Sequence, residues 1–114
     1  MKFMLFVCVD RAAYERERDQ PQPRGRDEPV PWADELDEAG IRLDGGQLEP
    51  FDQARTVRVR GGEVLLGDGP FAESKEVVAG YDVLECADLD EALAIAARHP
   101  VARFGVIEVR PFPA

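Results

Sequence analysis

The sequence predicts an α+β domain: a ferredoxin-like, split β-α-β plan with an antiparallel sheet and its helices on one face. Three stretches carry that prediction. FMLFVCV, residues 3 to 9, is a continuous apolar run of strand length, and TVRVR, residues 56 to 60, alternates strictly before a Gly61-Gly62 pair. DLDEALAIAARHP, residues 88 to 100, has the spacing and start signal of a helix. The elements around them complete the order β, helix, β-hairpin elements, β, helix, β.

Residues 3 to 9 read as a central strand, rich in β-branched and aromatic side chains. RAAYERERD, residues 11 to 19, is a candidate short helix. QPQPRGRDEPVP, residues 20 to 31, holds four prolines and a glycine and reads as a loop. Helical character resumes near Pro31 or Trp32, with proline suited to a first turn. In WADELDEAG, Trp32, Leu36 and Ala39 share a face, four acids lie outward, and Gly40 is the C-terminal cap. Ile41 to Gly46 leads into Leu48 to Phe51. Thr56 to Arg60 and Glu63 to Leu66 then form a hairpin about the Gly-Gly turn. Val77 to Cys86 is another strand. Asp88 caps the last helix, with Glu91 three residues on in a capping box. Its buried stripe is expected to be Leu89, Ala92, Leu93 and Ala96, with Ile95 alongside, and His99-Pro100 ends it. FGVIEVR, residues 104 to 110, is the last strand.

At 114 residues the chain is one domain, 1–114, with one modest core. Apolar residues make up 45% and charged residues 32%, a globular balance. The net charge of −9 argues against nucleic acid, because phosphate binding needs a basic footprint. Arg55, Arg58 and Arg60 form a local basic cluster that reads as a solvated sheet face, an interface rim or a hold for a small anion. No run is long enough to span a membrane, and the first apolar stretch reads as a buried strand rather than a signal peptide, so a cytoplasmic location is expected. Cys8 and Cys86 read as two free, buried thiols. With two cysteines and one histidine, no paired metal-ligand spacing is present, so no metal is expected. Gly45-Gly46 and Gly61-Gly62 are isolated turn pairs, not a phosphate loop, and Ser74 lacks a nucleophile-elbow frame. No cofactor is expected.

DGPFAESKE, residues 68 to 76, concentrates chemistry after a Gly-Pro turn. Asp68 reads either as an Asx-type turn residue or as an acid–base group and ligand anchor. Gly69 fits a backbone with positive φ. In an extended backbone Glu73 and Lys75 point the same way. Lys75 is one of two lysines beside twelve arginines, and a lysine is a compact donor whose pKa falls on burial. Phe71 reads as a core or interface anchor, and His99 as a cation favoured by a helix C-terminus.

DGPFAESKE, followed by GYDVLE, DLDEALAIAARHP and a terminal IEVRPF, resembles the YCII-related family in its DGPF-motif branch. MKFMLFVCVD and the TVRVR–GGEVLLGDGPF run fit as well, so the resemblance covers nearly the whole chain. It implies a ferredoxin-like fold that dimerises into an α+β barrel with a cleft between sheet and helices. It implies no established activity for most members. In a few relatives it implies small-molecule chemistry such as dehydrohalogenation, with a His-Asp pair as working groups. Some relatives stand beside extracytoplasmic-function sigma factors. In relatives read as enzymes the histidine follows the first strand; here DRAAYERERDQPQPRGRDEPVP holds none, so that pair is not carried over, and only Asp68 has a counterpart.

Two function classes follow. The first is a homodimer that binds a small polar or anionic ligand in a cleft lined by Asp68, Phe71, Glu73, Lys75 and Trp32, extended to a cofactor-free lyase or hydrolase if Asp68 is catalytic. The second is an interaction module, such as a sigma-factor accessory, without chemistry of its own. The homodimer is expected because an open sheet face is readily covered by a second copy.

Overall fold

The computed structural model describes residues 1–17, 31–71 and 75–114. The proline-rich segment up to residue 30 and Glu73 lie outside the described residues. The elements are β1 (Lys2–Asp10), α1 (Arg11–Glu17), α2 (Pro31–Glu38), β2 (Arg42–Gln47), β3 (Arg55–Arg60), β4 (Glu63–Asp68), β5 (Glu76–Glu85), α3 (Leu89–Ala97) and β6 (Val106–Pro111). Four strands form one sheet in the order β2-β5-β1-β6, every pair antiparallel. That order with α2 and α3 on one face is the ferredoxin-like plan; β3 and β4 pair only with each other, as a separate hairpin.

Strand alternation sorts the sheet into two faces. Phe3, Leu5 and Leu84 are fully buried and meet Trp32, Leu36, Ala92, Ile95 and Ala96 from the helices. Ile107 and Val109 of β6 close that core. Met4, Phe6, Cys8, Tyr81 and Val83 alternate onto the opposite face and are only half-buried. Tyr81 there donates its hydroxyl to Asp44 at 3.2 Å. Cys8 and Cys86 are both free thiols.

Local signals account for most element ends. Asp10 Oδ1 accepts the Ala13 N–H at 2.9 Å and starts α1. Asp88 Oδ1 accepts the Glu91 N–H at 2.8 Å, while Glu91 reaches back to the N–H of Ala87 at 3.2 Å. The capping box therefore closes one residue further out than expected. Two expectations are corrected on α3. The buried stripe is Ala92, Ile95 and Ala96, whereas Leu89 and Leu93 are 45% and 47% exposed. Ala92, Ile95 and Ala96 keep the expected face, and only its Leu89–Leu93 edge lies open. A stripe through 92, 95 and 96 continues to 99, which turns His99 inward. Gly45-Gly46 is likewise no turn; both residues lie within β2.

Candidate functional site

β2 carries a register irregularity between Arg42 and Asp44. Arg42 aligns with Leu84, Asp44 with Val83 and Gly45 with Asp82, so Leu43 is the extra residue. A bulge shifts the side-chain alternation by one and re-aims what precedes it. Arg42 consequently faces the helix side together with Gly45, instead of following Asp44 to the open side. Asp82 occupies the same side of β5, between Leu5 of β1 and Gly45 of β2.

Asp82 is 5% exposed and is the one buried charged side chain among the described residues. Its Oδ1 accepts from Arg42 Nε at 2.7 Å, and Arg42 Nη1 also donates to Asp37 at 3.1 Å. Gly45 makes the pair possible: a Cβ there would run into Asp82 Oδ1 and the Arg42 guanidinium. Burial pushes the Asp82 carboxyl up, and the hydrogen bond and charge of Arg42 oppose that. Arg42 itself is held more basic by Asp82 and Asp37, against its own burial.

His99 follows α3 and precedes a short 3₁₀ turn at Pro100–Arg103. Its Nδ1 accepts the Val101 N–H at 3.0 Å, which places the neutral ring's proton on Nε2. Its ring meets Trp32 edge-on, with centroids 4.6 Å apart. Trp32 in turn donates Nε1–H to the Ile95 carbonyl at 2.9 Å. Burial lowers the His99 pKa and the Asp82 charge partly offsets this. The expected cation at a helix end is corrected: His99 accepts a backbone N–H, and burial favours its neutral form.

These groups surround a cavity of about 360 Å³ between the sheet, α2 and the His99–Val101 segment, with Val7, Val9, Ala33 and Val101 as apolar walls. Arg42, Asp82, His99 and Trp32 all line it. A cavity of that size suits a small ligand. The ring proton of His99 is a donor there and the Asp82 carboxylate an acceptor. The two are pushed toward each other on the pKa scale, one up and one down.

Of the residues singled out from the sequence, Trp32 lines this cavity, Asp68, Phe71 and Lys75 do not, and Glu73 lies outside the described residues. Asp68 ends β4, pairs with Arg55 at 2.8 Å and leaves 86% of its side chain exposed. Gly69 has φ +83° and donates its N–H to the Ala54 carbonyl at 2.7 Å, so the turn geometry is local. Phe71 is exposed, with the Arg58 guanidinium 5.1 Å above its ring. Lys75 is exposed, and its carbonyl accepts the Arg11 N–H at 2.7 Å. Pro70 borders a separate apolar hollow with Phe51 and Val77. Asp82 and Arg42 were not singled out, and His99 was read only as a helix-end cation. The signal for Asp82 was an acid at a position in phase with Leu84; for His99 it was the stripe from Ala92 through Ile95 and Ala96.

The pKa directions give a pH prediction. The unfolded chain holds the His99 proton more tightly than the folded chain does. The stability His99 contributes is therefore complete above its ordinary value of 6.5 and lost as pH falls through the lowered folded value. Asp82 has the opposite dependence: its contribution is greatest below the ordinary 3.8 and declines as pH rises through its raised value. Urea unfolding of the wild type and His99→Gln should show a stability difference that grows from about pH 5 to about pH 7. A difference independent of pH would mean His99 is not held neutral.

Compared with known proteins, the chain matches the YCII-related domain family over residues 1–112. It is 43% identical over 76 residues to an uncharacterized protein of Rhizobium meliloti (strain 1021), a match covering 65% of this chain and 61% of that protein. The chain thus spans less than two thirds of that relative's length. Among solved structures it is similar to 5-chloro-2-hydroxyhydroquinone dehydrochlorinase (TftG) from Burkholderia phenoliruptrix AC1100 in complex with 2,5-dihydroxybenzoquinone. The identity is 14% and the TM-score 0.49, with 99% of this chain and 94% of that one covered. At that similarity it carries nothing about activity.

Proposed function

The chain belongs to the YCII-related family, and from that premise we propose that it binds a small, uncharged polar molecule in the cleft between the sheet, helix α2 and the His99–Val101 segment that follows α3. The carrying observation is Asp82, a buried carboxylate at the wall of a cavity that also holds His99. Burying a charge is costly unless it is paired, and a fold that keeps one beside open space has a use for its second oxygen. Asp82 Oδ2 has no hydrogen bond to another described residue, nor has His99 Nε2. A ligand offering both a donor and an acceptor, such as a hydroxyl beside a carbonyl, would satisfy the two together.

The charge at the cleft favours a neutral ligand over an anion. Arg42 is already neutralised by Asp82 on one side and Asp37 on the other. With His99 uncharged, these three ionised groups sum to about one negative charge, which repels an anion. Val7, Val9 and Val101 suit a flat apolar portion.

A fragment screen by amide chemical-shift mapping tests this. Small hydroxy-carbonyl fragments should move the amides of Gly80, Asp82, His99 and Val101. His99→Gln should weaken them roughly fivefold to tenfold, the worth of about one hydrogen bond. If such fragments at millimolar concentration move no cleft amide, or only those of residues 55 to 71, the proposal fails.

A further inference from the structure

Two register irregularities bracket the floor of the cleft. The first is the extra Leu43 of β2. The second lies in β5: Val7 of β1 aligns with Gly80 and Cys8 with Val78, so Ala79 is the extra residue. Between them β2 and β5 stay in register, Gly45 with Asp82, Gly46 with Tyr81 and Gln47 with Gly80. Gly46 and Tyr81 face the open side, so this stretch offers four positions to the cleft. Two of the four are glycines, and each stands directly across from a polar residue. The floor here therefore carries two side chains, Asp82 and Gln47, set diagonally and roughly 7–8 Å apart.

Gly80 is fixed by the backbone beside it. A Cβ there would stand 2.8 Å from the Gly46 carbonyl oxygen, and a main-chain oxygen cannot swing aside as a flexible side chain could. Position 80 thus stays bare. Its neighbours across the sheet are Gln47 on one side and Val7 on the other. A bare strip runs between an amide and an apolar wall, and Gln47, Gly80 and Val7 all line the cavity that Asp82 and His99 line. Gln47 is exposed, and its side chain has no hydrogen bond to another described residue. A primary amide offers an acceptor and two donors, so it can meet a carbonyl, a hydroxyl or another amide. It is uncharged and leaves the charge balance of the cleft as it is.

We propose that Gln47 selects the far end of the ligand, so that the cleft takes an elongated neutral molecule, polar at both ends and apolar between. One end meets Asp82 and His99. The middle lies along the bare strip at Gly80, against Val7, and the other end hydrogen-bonds the Gln47 amide. This rests on the reading of the cleft as a ligand site, and it adds a length and a second polar group to what that site accepts.

Two probes that differ only at the tail test it: a hydroxyketone with a butyl tail, and the same molecule with the terminal methyl replaced by a carboxamide. Titrations followed at the amides of Asp82 and His99 should show the wild-type chain preferring the carboxamide roughly fivefold to tenfold, the worth of about one hydrogen bond. Gln47→Met keeps the length of the side chain and removes its donors and acceptor. It should abolish the preference and leave the affinity for the butyl probe within about twofold of the wild type, as befits an exposed position. Equal binding of the two probes by the wild type, or a preference that survives in Gln47→Met, would overturn selection by Gln47 and leave the reading of the cleft in place. If neither probe moves those amides, that reading itself falls, and this inference with it.

Discussion

Arg42→Met should destabilise the chain by about 3 kcal/mol, because it strands Asp82. The guanidinium serves two carboxylates that are not equivalent. Asp37 has a side chain 48% exposed, and losing its partner there costs about 0–1 kcal/mol. Asp82 has a side chain 7% exposed and cannot recover its lost hydrogen bond from bulk water. Breaking a buried pair costs about 3–5 kcal/mol, and the 17% exposure of the Arg42 side chain sets the expected loss at the lower end. In thermal melts this is a Tm lower by roughly 10 °C or more.

The same variant should depend on pH in a way a packing defect would not. Without Arg42 the Asp82 pKa rises further, since burial is then no longer opposed by the Arg42 hydrogen bond and charge. The deficit is then full at neutral pH and shrinks as acid protonates Asp82 in the folded state. Asp82→Asn added to Arg42→Met should restore a large part of the loss at neutral pH. If the single variant is equally destabilised at neutral and acid pH, the Arg42–Asp82 account is wrong, and lost packing of the arginine stem is the cause.

Both cleft groups sit where sequence reading is weakest. The strand at β5 was legible from its apolar run, and the hairpin from TVRVR and its Gly-Gly turn. Their side-chain phase was legible too: Asp82 shares the phase of Leu84, the core residue. What hid Asp82 was its partner. Arg42 reaches it only through the bulge at Leu43, and a one-residue insertion in an edge strand leaves no mark in RLDGGQ. Gly45 reads as a turn in isolation and is explained only when Asp82 and Arg42 fill the space above it. His99 was read as a cation at a helix end, although Ala92, Ile95 and Ala96, all in the expected stripe, put position 99 in phase with the core. Leu89 and Leu93, at the edge of that stripe, are the two expected residues that lie exposed. DGPFAESKE was legible as a turn and as the mark of a family; its φ +83° glycine and its Arg55–Asp68 pair explain the turn without a ligand.

Trp32→Ala should cost about 3–5 kcal/mol, the usual range for truncating a buried tryptophan. It should also change the chemistry of His99. Trp32 is 7% exposed, packs in the core with Leu36 and Ile95, and forms the wall against which the His99 ring stands. Removing that wall admits water to the imidazole. Desolvation is the leading cause of its lowered pKa, so the value should rise back towards the ordinary histidine range. The chain has a single histidine, so one proton NMR titration reads this without assignment. Trp32→Phe separates the two roles. It keeps the aromatic wall and loses only the Nε1–H bond to Ile95, whose carbonyl still accepts from the Arg98 N–H at 3.1 Å. That variant should lose about 1 kcal/mol and leave the His99 titration near the wild type. If His99 titrates alike in the wild type and Trp32→Ala, the tryptophan is core packing alone. The cleft's hold on a neutral histidine would then have to come from the sheet side, from Val7 and the Asp82 strand.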